Sequence, residues 1–299
     1  MTKKIVVLGS LNMDIVVSAE RNPAAGETIH GERVEYVSGG KGANQAVALH
    51  QLGADVQLLG SIGTDVFGDR IKEQLISFGL DPTYLQTVND VATGIASITH
   101  VPGDNSIIVV AGANAKTNQH YIDQYRTVIQ EADILLVQFE IPLETVRYAL
   151  RVAKQANVIT IVNPAPAQQL DQEFMKLVDY LTPNQTELAT VLNKTYTLSE
   201  AFQVWRQQFD TQLIVTLGSD GAAYAENGEV VTVPAMDFGK VADTTGAGDA
   251  FNAGLVYGLS KDWSMYDCIA FAIKVSGLAV TTFGAQAGMP TLDKVNAYQ

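Results

Sequence analysis

Four short, nearly continuous runs of β-branched and aliphatic residues constrain this chain most, at 5–8, 134–137, 158–162 and 213–216. A strand covered on one face alternates apolar with polar residues, so an unbroken run implies burial on both faces. Helix-like segments such as 143–155 lie between the runs. Strand, helix, strand alternation predicts a parallel sheet with right-handed crossovers. The expected fold class is α/β, a central, mostly parallel sheet flanked by helices. Two early stretches, 15–37 and 84–110, differ: short alternating β-prone pieces are separated by Gly, Pro, Asn and Asp. They interrupt the rhythm, which predicts a small β-sheet lid inserted into a single domain over 1–299.

The formal charge of −13, from 19 Lys+Arg against 32 Asp+Glu, disfavours DNA or RNA, since a phosphate-tracking surface would form against the overall field. A polyanion such as ATP stays open where Mg²⁺ and backbone N–H groups supply local positive potential. Cys268 is the single cysteine, which excludes an intramolecular disulfide and a multi-cysteine metal site and predicts a reducing cytoplasm. It lies in an apolar helix-like segment, as a packed residue would. The opening MTKKIVVLGS reads as a first strand, not a signal peptide. The apolar stretch 269–280 carries Lys274 and is shorter than the roughly 20 residues a membrane span needs. His30, His50, His100 and His120 show no H-E-x-x-H spacing, and no G-x-S-x-G elbow occurs, so neither a zinc hydrolase nor a serine esterase is supported.

Candidate chemistry gathers at loop–helix junctions. Gly39, Gly40, Lys41, Gly42, Ala43 and Asn44 run directly into a helix-like sequence. The spacing is neither a phosphate-binding P-loop nor a dinucleotide fingerprint, and it suits a structural turn as well as a ligand site. Asn12, Met13 and Asp14 follow the first run, where open α/β sheets bind ligands; an Asx turn is the plainer alternative. Asp243, Thr244, Thr245, Gly246, Ala247, Gly248 and Asp249 precede an apolar helix-like run. The N–H groups of Gly246, Ala247 and Gly248 could face a phosphate as an anion hole, with Asp249 in the first turn as a base. Equally, Asp249 could merely complement the helix dipole. Thr216, Leu217, Gly218, Ser219, Asp220 and Gly221 form a loop that suits a nucleotide or a plain hairpin. Asn184 and Glu187 fit a helix cap that also presents Asn184 toward phosphate and Glu187 toward hydrated Mg²⁺.

Together these residues resemble the ribokinase-like family of carbohydrate and nucleoside kinases. The likeness runs through G-S-x-N-x-D at 9–14, P-x-x-G-E-T at 23–28, G-G-K-G-A-N-Q-A at 39–46, A-G-A-N at 111–114, Glu140, N-P-A-P-A at 163–167, T-P-N-x-T-E at 182–187, T-L-G-S-x-G at 216–221 and D-T-T-G-A-G-D at 243–249. The resemblance implies ATP-dependent phosphorylation of D-ribose at its 5-hydroxyl, with Asp249 as general base. It implies ribose contacts at Asn12, Met13, Asp14, Gly40, Lys41, Gly42, Ala43, Asn44 and Glu140. ATP would lie along Asn184, the 216–221 loop, Gly248 and Asp249, with Mg²⁺ held through water by Glu187. K⁺ would sit among Asp243, Thr245, Ala279, Thr282, Gly284 and Gly288, and dimerisation would use the lids. Met13 replaces a familiar smaller residue, and Gly284-Ala-Gln-Ala-Gly288 matches the family's G-A-Q-x-S only in part. Two rivals remain: a kinase for deoxyribose, another sugar or a nucleoside, since one lost hydroxyl contact redirects specificity, and a non-catalytic sugar or nucleotide sensor.

Overall fold

A computed structural model describes residues 2–102 and 104–298; Met1, Gly103 and Gln299, which the domain and lid expectations include, lie outside the described residues. The strands in chain order are β1 Lys4–Leu8, β2 Asn12–Ser18, β3 Arg33–Gly39, β4 Asp55–Gly63, β5 Leu85–Val88, β6 Gly94–Val101, β7 Asp104–Val110, β8 Ile134–Val137, β9 Ile159–Val162, β10 Tyr180–Leu181, β11 Gln212–Thr216, β12 Ala222–Glu226 and β13 Glu229–Val233. All four apolar runs are strands of one sheet ordered β13-β12-β11-β10-β9-β8-β1-β4-β5. It is parallel from β11 to β5, and β12 and β13 complete it antiparallel.

The runs are unbroken because both faces of the sheet are covered. Val6 and Leu8 of β1 pack into one core cluster, with Val146 and Leu150 of helix Leu143–Gln155 and Phe202 and Trp205 of helix Leu198–Gln208. Ile5 and Val7 turn to the other face, against Ala43 and Val47 of helix Lys41–Gln51 and Ala253 and Val256 of helix Ala247–Ser260. Each Val, Leu, Ile or Phe among them contributes roughly 1.5–3 kcal/mol by leaving water. Helix Ala247–Ser260 is buried from Asp249 to Gly258, so its N-terminus is fixed at the carboxyl ends of the strands.

A second sheet, ordered β3-β2-β6-β7, stands apart from the first. It starts at Asn12, earlier than the expected 15. The second stretch divides: Leu85–Val88 pairs with β4 in the large sheet, and only from Gly94 does the chain join the small one. Polar loop texture does not tell which sheet a short edge strand will join. Among the described residues no helix is long and apolar enough to cross a membrane.

Candidate active site

Asp249 occupies the first turn of helix Ala247–Ser260 and is buried. Its carboxylate does more than face the helix dipole. Asn44 Nδ2 donates to Oδ2 at 2.9 Å and Gln45 Nε2 donates to Oδ1 at 2.9 Å. Burial pushes its pKa up; Lys41 and the two amides oppose that rise.

The glycine-rich junction is primarily a packing device. Gly40 caps helix Lys41–Gln51 at φ 90°, and a Cβ there would lie 2.7 Å from Asn12 N. A Cβ at Gly42 would lie 2.6 Å from the Gly9 carbonyl carbon. Helix and β1–β2 link can therefore touch backbone to backbone. Ala43 is buried in the core. That contact brings the side chains of Lys41 and Asn44 to the strand ends.

Around them lies a cluster of acids. Glu140 Oε2 accepts from Ser10 Oγ, from Lys41 N at 3.3 Å and from Asn12 Nδ2 at 3.5 Å. Asn12 Oδ1 accepts from Asn114 Nδ2 at 2.7 Å. Burial raises Asp14 to about 7, reinforced by Glu140 and Asp249 and offset by Lys41. Burial works against the Lys41 charge, yet Asp249, Glu140, Glu187 and Asp14 hold its ammonium above the usual range. Asn12 and Asp14 are strand residues of β2, not an Asx turn. Strand alternation sends Met13 to the opposite face, fully buried in the core. Its side chain is thus apart from the sugar-contact set implied by the sequence, and its size answers to packing.

A cavity of about 480 Å³ adjoins the helix N-terminus. Thr216, Gly218, Ser219, Gly221 and Gly248 of the expected nucleotide set line it. Loop 216–221 is also a hairpin turn, joining β11 to antiparallel β12. Leu217, Asp220, Asn184 and Asp249 are not among its lining residues. Leu217 donates its N–H to Gly221 O and Asp220 its N–H to Leu217 O, shaping the turn. Asn184 bridges to Thr216 and forms a capping box with Glu187: each side chain accepts the other's N–H at 2.8 Å. Gly246 caps helix Ala247–Ser260 at φ 81°. Ala247 N donates to Thr244 O at 3.2 Å. The N–H groups of Gly248 and Asp249 have no acceptor within the helix, as in any first turn.

Behind Gly246 the 279–288 segment folds onto Asp243. Asp243 Oδ1 accepts from Thr245 N and Oδ2 from Gly284 N, both at 2.9 Å. A Cβ on Gly288 would stand 2.5 Å from Ala279 O and 3.5 Å from Thr282 O. The chain thereby gathers Asp243, Thr245, Ala279, Thr282, Gly284 and Gly288 from two separate segments.

Several neighbours were missed in the sequence. Gln45, Gln138 and Asn163 form a buried amide network behind Asp249. Gln138 carried a readable signal, a polar residue ending an apolar strand run. The far wall of the large cavity comes from Ala235–Val241 and Ile273–Thr281 residues including Phe238, Gly277 and Val280, where no motif marks a ligand. Cys268 is buried and its thiol is pushed up to about 12 by burial, in keeping with a packed residue.

The model of the pfkB family of carbohydrate kinases matches residues 2–292. Ribokinase of Bacillus subtilis strain 168 is 39% identical over 293 residues, covering 98% of each chain. The solved structure of Arabidopsis thaliana ribokinase complexed with ribose and ATP superposes with a TM-score of 0.92 at 33% identity, covering 99% of this chain and 98% of that one. Thermotoga maritima ribokinase gives a TM-score of 0.90 at 34% identity, with 99% and 98% covered.

Proposed function

The chain belongs to the pfkB family of carbohydrate kinases, and we propose that it transfers the γ-phosphoryl group of ATP to the 5-hydroxyl of D-ribose. The observation that carries this reading is the place of Asp249. Its carboxylate meets Asn44 on the acid-lined side, while adjacent Gly248 lines the large cavity. Asn12, Asp14, Lys41, Asn44 and Glu140 hold the sugar hydroxyls. Asp249 accepts the proton of the attacking hydroxyl. The first-turn N–H groups face the phosphoryl oxygens as charge develops there. ATP occupies the 480 Å³ cavity.

The residues present fit both expected ions. Among the described residues no group of three or more His, Cys, Asp or Glu could hold a metal. Mg²⁺ would arrive with ATP, with Glu187 reaching it only through water; the ion neutralises phosphate charge when bound. The carbonyls of Ala279 and Thr282 both face the place where Gly288 lacks a Cβ, and Gly284 of the same segment bonds Asp243 Oδ2. Such a cradle of oxygens fits K⁺, whose charge supports the neighbouring anion hole. The single buried Cys268 agrees with a reducing cytoplasm.

An assay with ATP and Mg²⁺ over ribose, deoxyribose, fructose and adenosine is expected to show ribose 5-phosphate as the preferred product, with strong activation when K⁺ replaces Na⁺. Ribose binding without phosphate transfer would favour a sensor and overturn the reading. Activity indifferent to monovalent cations would remove K⁺ from it.

The small sheet would act as a lid that excludes water, and as the dimer interface. Its register puts Val34, Tyr36, Ile108 and Val110 on one face and Ile107 and Val109 on the other, all exposed. Monomers rarely leave so much apolar surface uncovered. Ile108, 69% exposed, is the test: Ile108→Lys is expected to sediment as a monomer at concentrations where the parent is a dimer. A monomeric parent would rule the interface out.

A further inference from the structure

We propose that Gln45 is a positioning residue for Asp249, locked in one amide orientation by Gln138 and Asn163 so that Asp249 Oδ1 is tied back and Oδ2 serves as the proton acceptor. This rests on Asp249 being the base.

Gln45 is fully buried, and its Nε2 donates both to Asp249 Oδ1 at 2.9 Å and to Asn163 Oδ1 at 3.2 Å. Its Oε1 accepts from Gln138 Nε2 at 2.5 Å. Asn163 is oriented in turn, its Nδ2 donating to Thr182 O at 3.4 Å. Rotating the Gln45 amide by half a turn would set its Oε1 against a carboxylate oxygen and against the Asn163 carbonyl. It would also face its NH₂ toward that of Gln138. Every neighbour therefore selects the same orientation.

Gln138 bears a cost for this role. With its NH₂ committed to Gln45, its Oε1 has no hydrogen-bond partner although it is buried. Leaving a buried acceptor unpaired is unfavourable. Turning Gln138 around would offer that acceptor to Gln45 only if Gln45 also turned, which ionised Asp249 opposes. The orphaned oxygen is thus explained by the charge at Asp249, two residues along the chain of amides.

On the opposite side, Asn44 holds Oδ2 and has its own Oδ1 without a partner. The two carboxylate oxygens are consequently unequal. Oδ1 meets only the buried network. Oδ2 meets Asn44, an amide of the sugar-contact set. The donor from Gln45 also favours the ionised carboxylate, opposing the rise caused by burial.

The test is Gln45→Met, which roughly keeps volume and removes both the donor and the acceptor of the amide. We expect kcat to fall about 10- to 100-fold, with the KM for ribose changing less than about threefold because no sugar contact is removed. The acid limb of kcat/KM should move to higher pH, since loss of a donor to the carboxylate raises its pKa. Raising the pH should recover part of the lost rate. Gln138→Met guards against a folding failure: it should shift the same limb in the same direction by less, and the double variant should be no worse than Gln45→Met alone. Unchanged kcat and pH profile in both single variants, beside an inactive Asp249→Asn, would overturn the positioning role and leave the base intact. An active Asp249→Asn would overturn the base reading itself.

Discussion

Asp249→Asn is expected to keep the fold, ribose binding and ATP binding while lowering kcat by roughly 10² to 10⁴ or more. The substitution is nearly isosteric, and the site can absorb the one misplaced NH₂ it creates. Gln45 is locked, so the new amide must turn its carbonyl toward Gln45 and its NH₂ toward Asn44. Asn44 can follow by rotating, because its Oδ1 has no partner to lose. Catalysis cannot be restored that way, since an amide oxygen is a negligible base near neutral pH. Burial raises the pKa of Asp249, and only the ionised form accepts a proton. Activity should therefore fall with decreasing pH along a limb above the ordinary Asp value of about 3.9. The variant's residual rate should lose the Asp249 part of that limb and keep only the part due to Asp14. Calorimetry for ribose and a pH series of kcat/KM would check both halves, and near-wild-type turnover would sink the assignment.

What the sequence revealed about this site follows from the range of the interaction involved. Strands buried on both faces are written locally, so β1, β8, β9 and β11 were legible to within one residue at their starts. The first turn of helix Ala247–Ser260 was legible too, because small residues before an apolar run are a local signal. The partners of Asp249 were not: Asn44 and Gln45 lie 205 and 204 positions away in the chain. Only the resemblance could bring Asn44 to it, and nothing brought Gln45, whose role depends on Gln138 and Asn163 from two further strand ends. Met13 shows the converse. The resemblance placed it with its polar neighbours among the sugar contacts, and the period of a strand sends its side chain into the core. The edge strand Leu85–Val88 was misassigned because its four residues carry too little pattern to say which sheet they extend.

Gly246→Ala should have the second largest effect, a fall in kcat of about 10²-fold or more with the KM for ribose nearly unchanged. At φ 81° a side chain already costs roughly 1–2 kcal/mol. The added methyl would also stand 2.8 Å from Ala285 Cβ and 3.1 Å from Ala285 Cα. Backbone on one side or the other must give way. If the turn moves, the N–H groups of Gly248 and Asp249 lose their aim, and a misplacement near 1 Å costs on the order of 10² in rate. If Ala285 moves, it drags Gly284, whose N–H holds Asp243 Oδ2, so the response to K⁺ should weaken as well. Asn12, Asp14 and Lys41 sit on other elements and keep their places. Gly248→Ala is the contrasting variant, since its Cβ would meet nothing within 4 Å beyond its own helix and chain neighbours, and Gly248 lines the large cavity. There the KM for ATP should rise more than kcat falls. Wild-type turnover in Gly246→Ala would show that the left-handed turn does not aim the phosphate-facing amides.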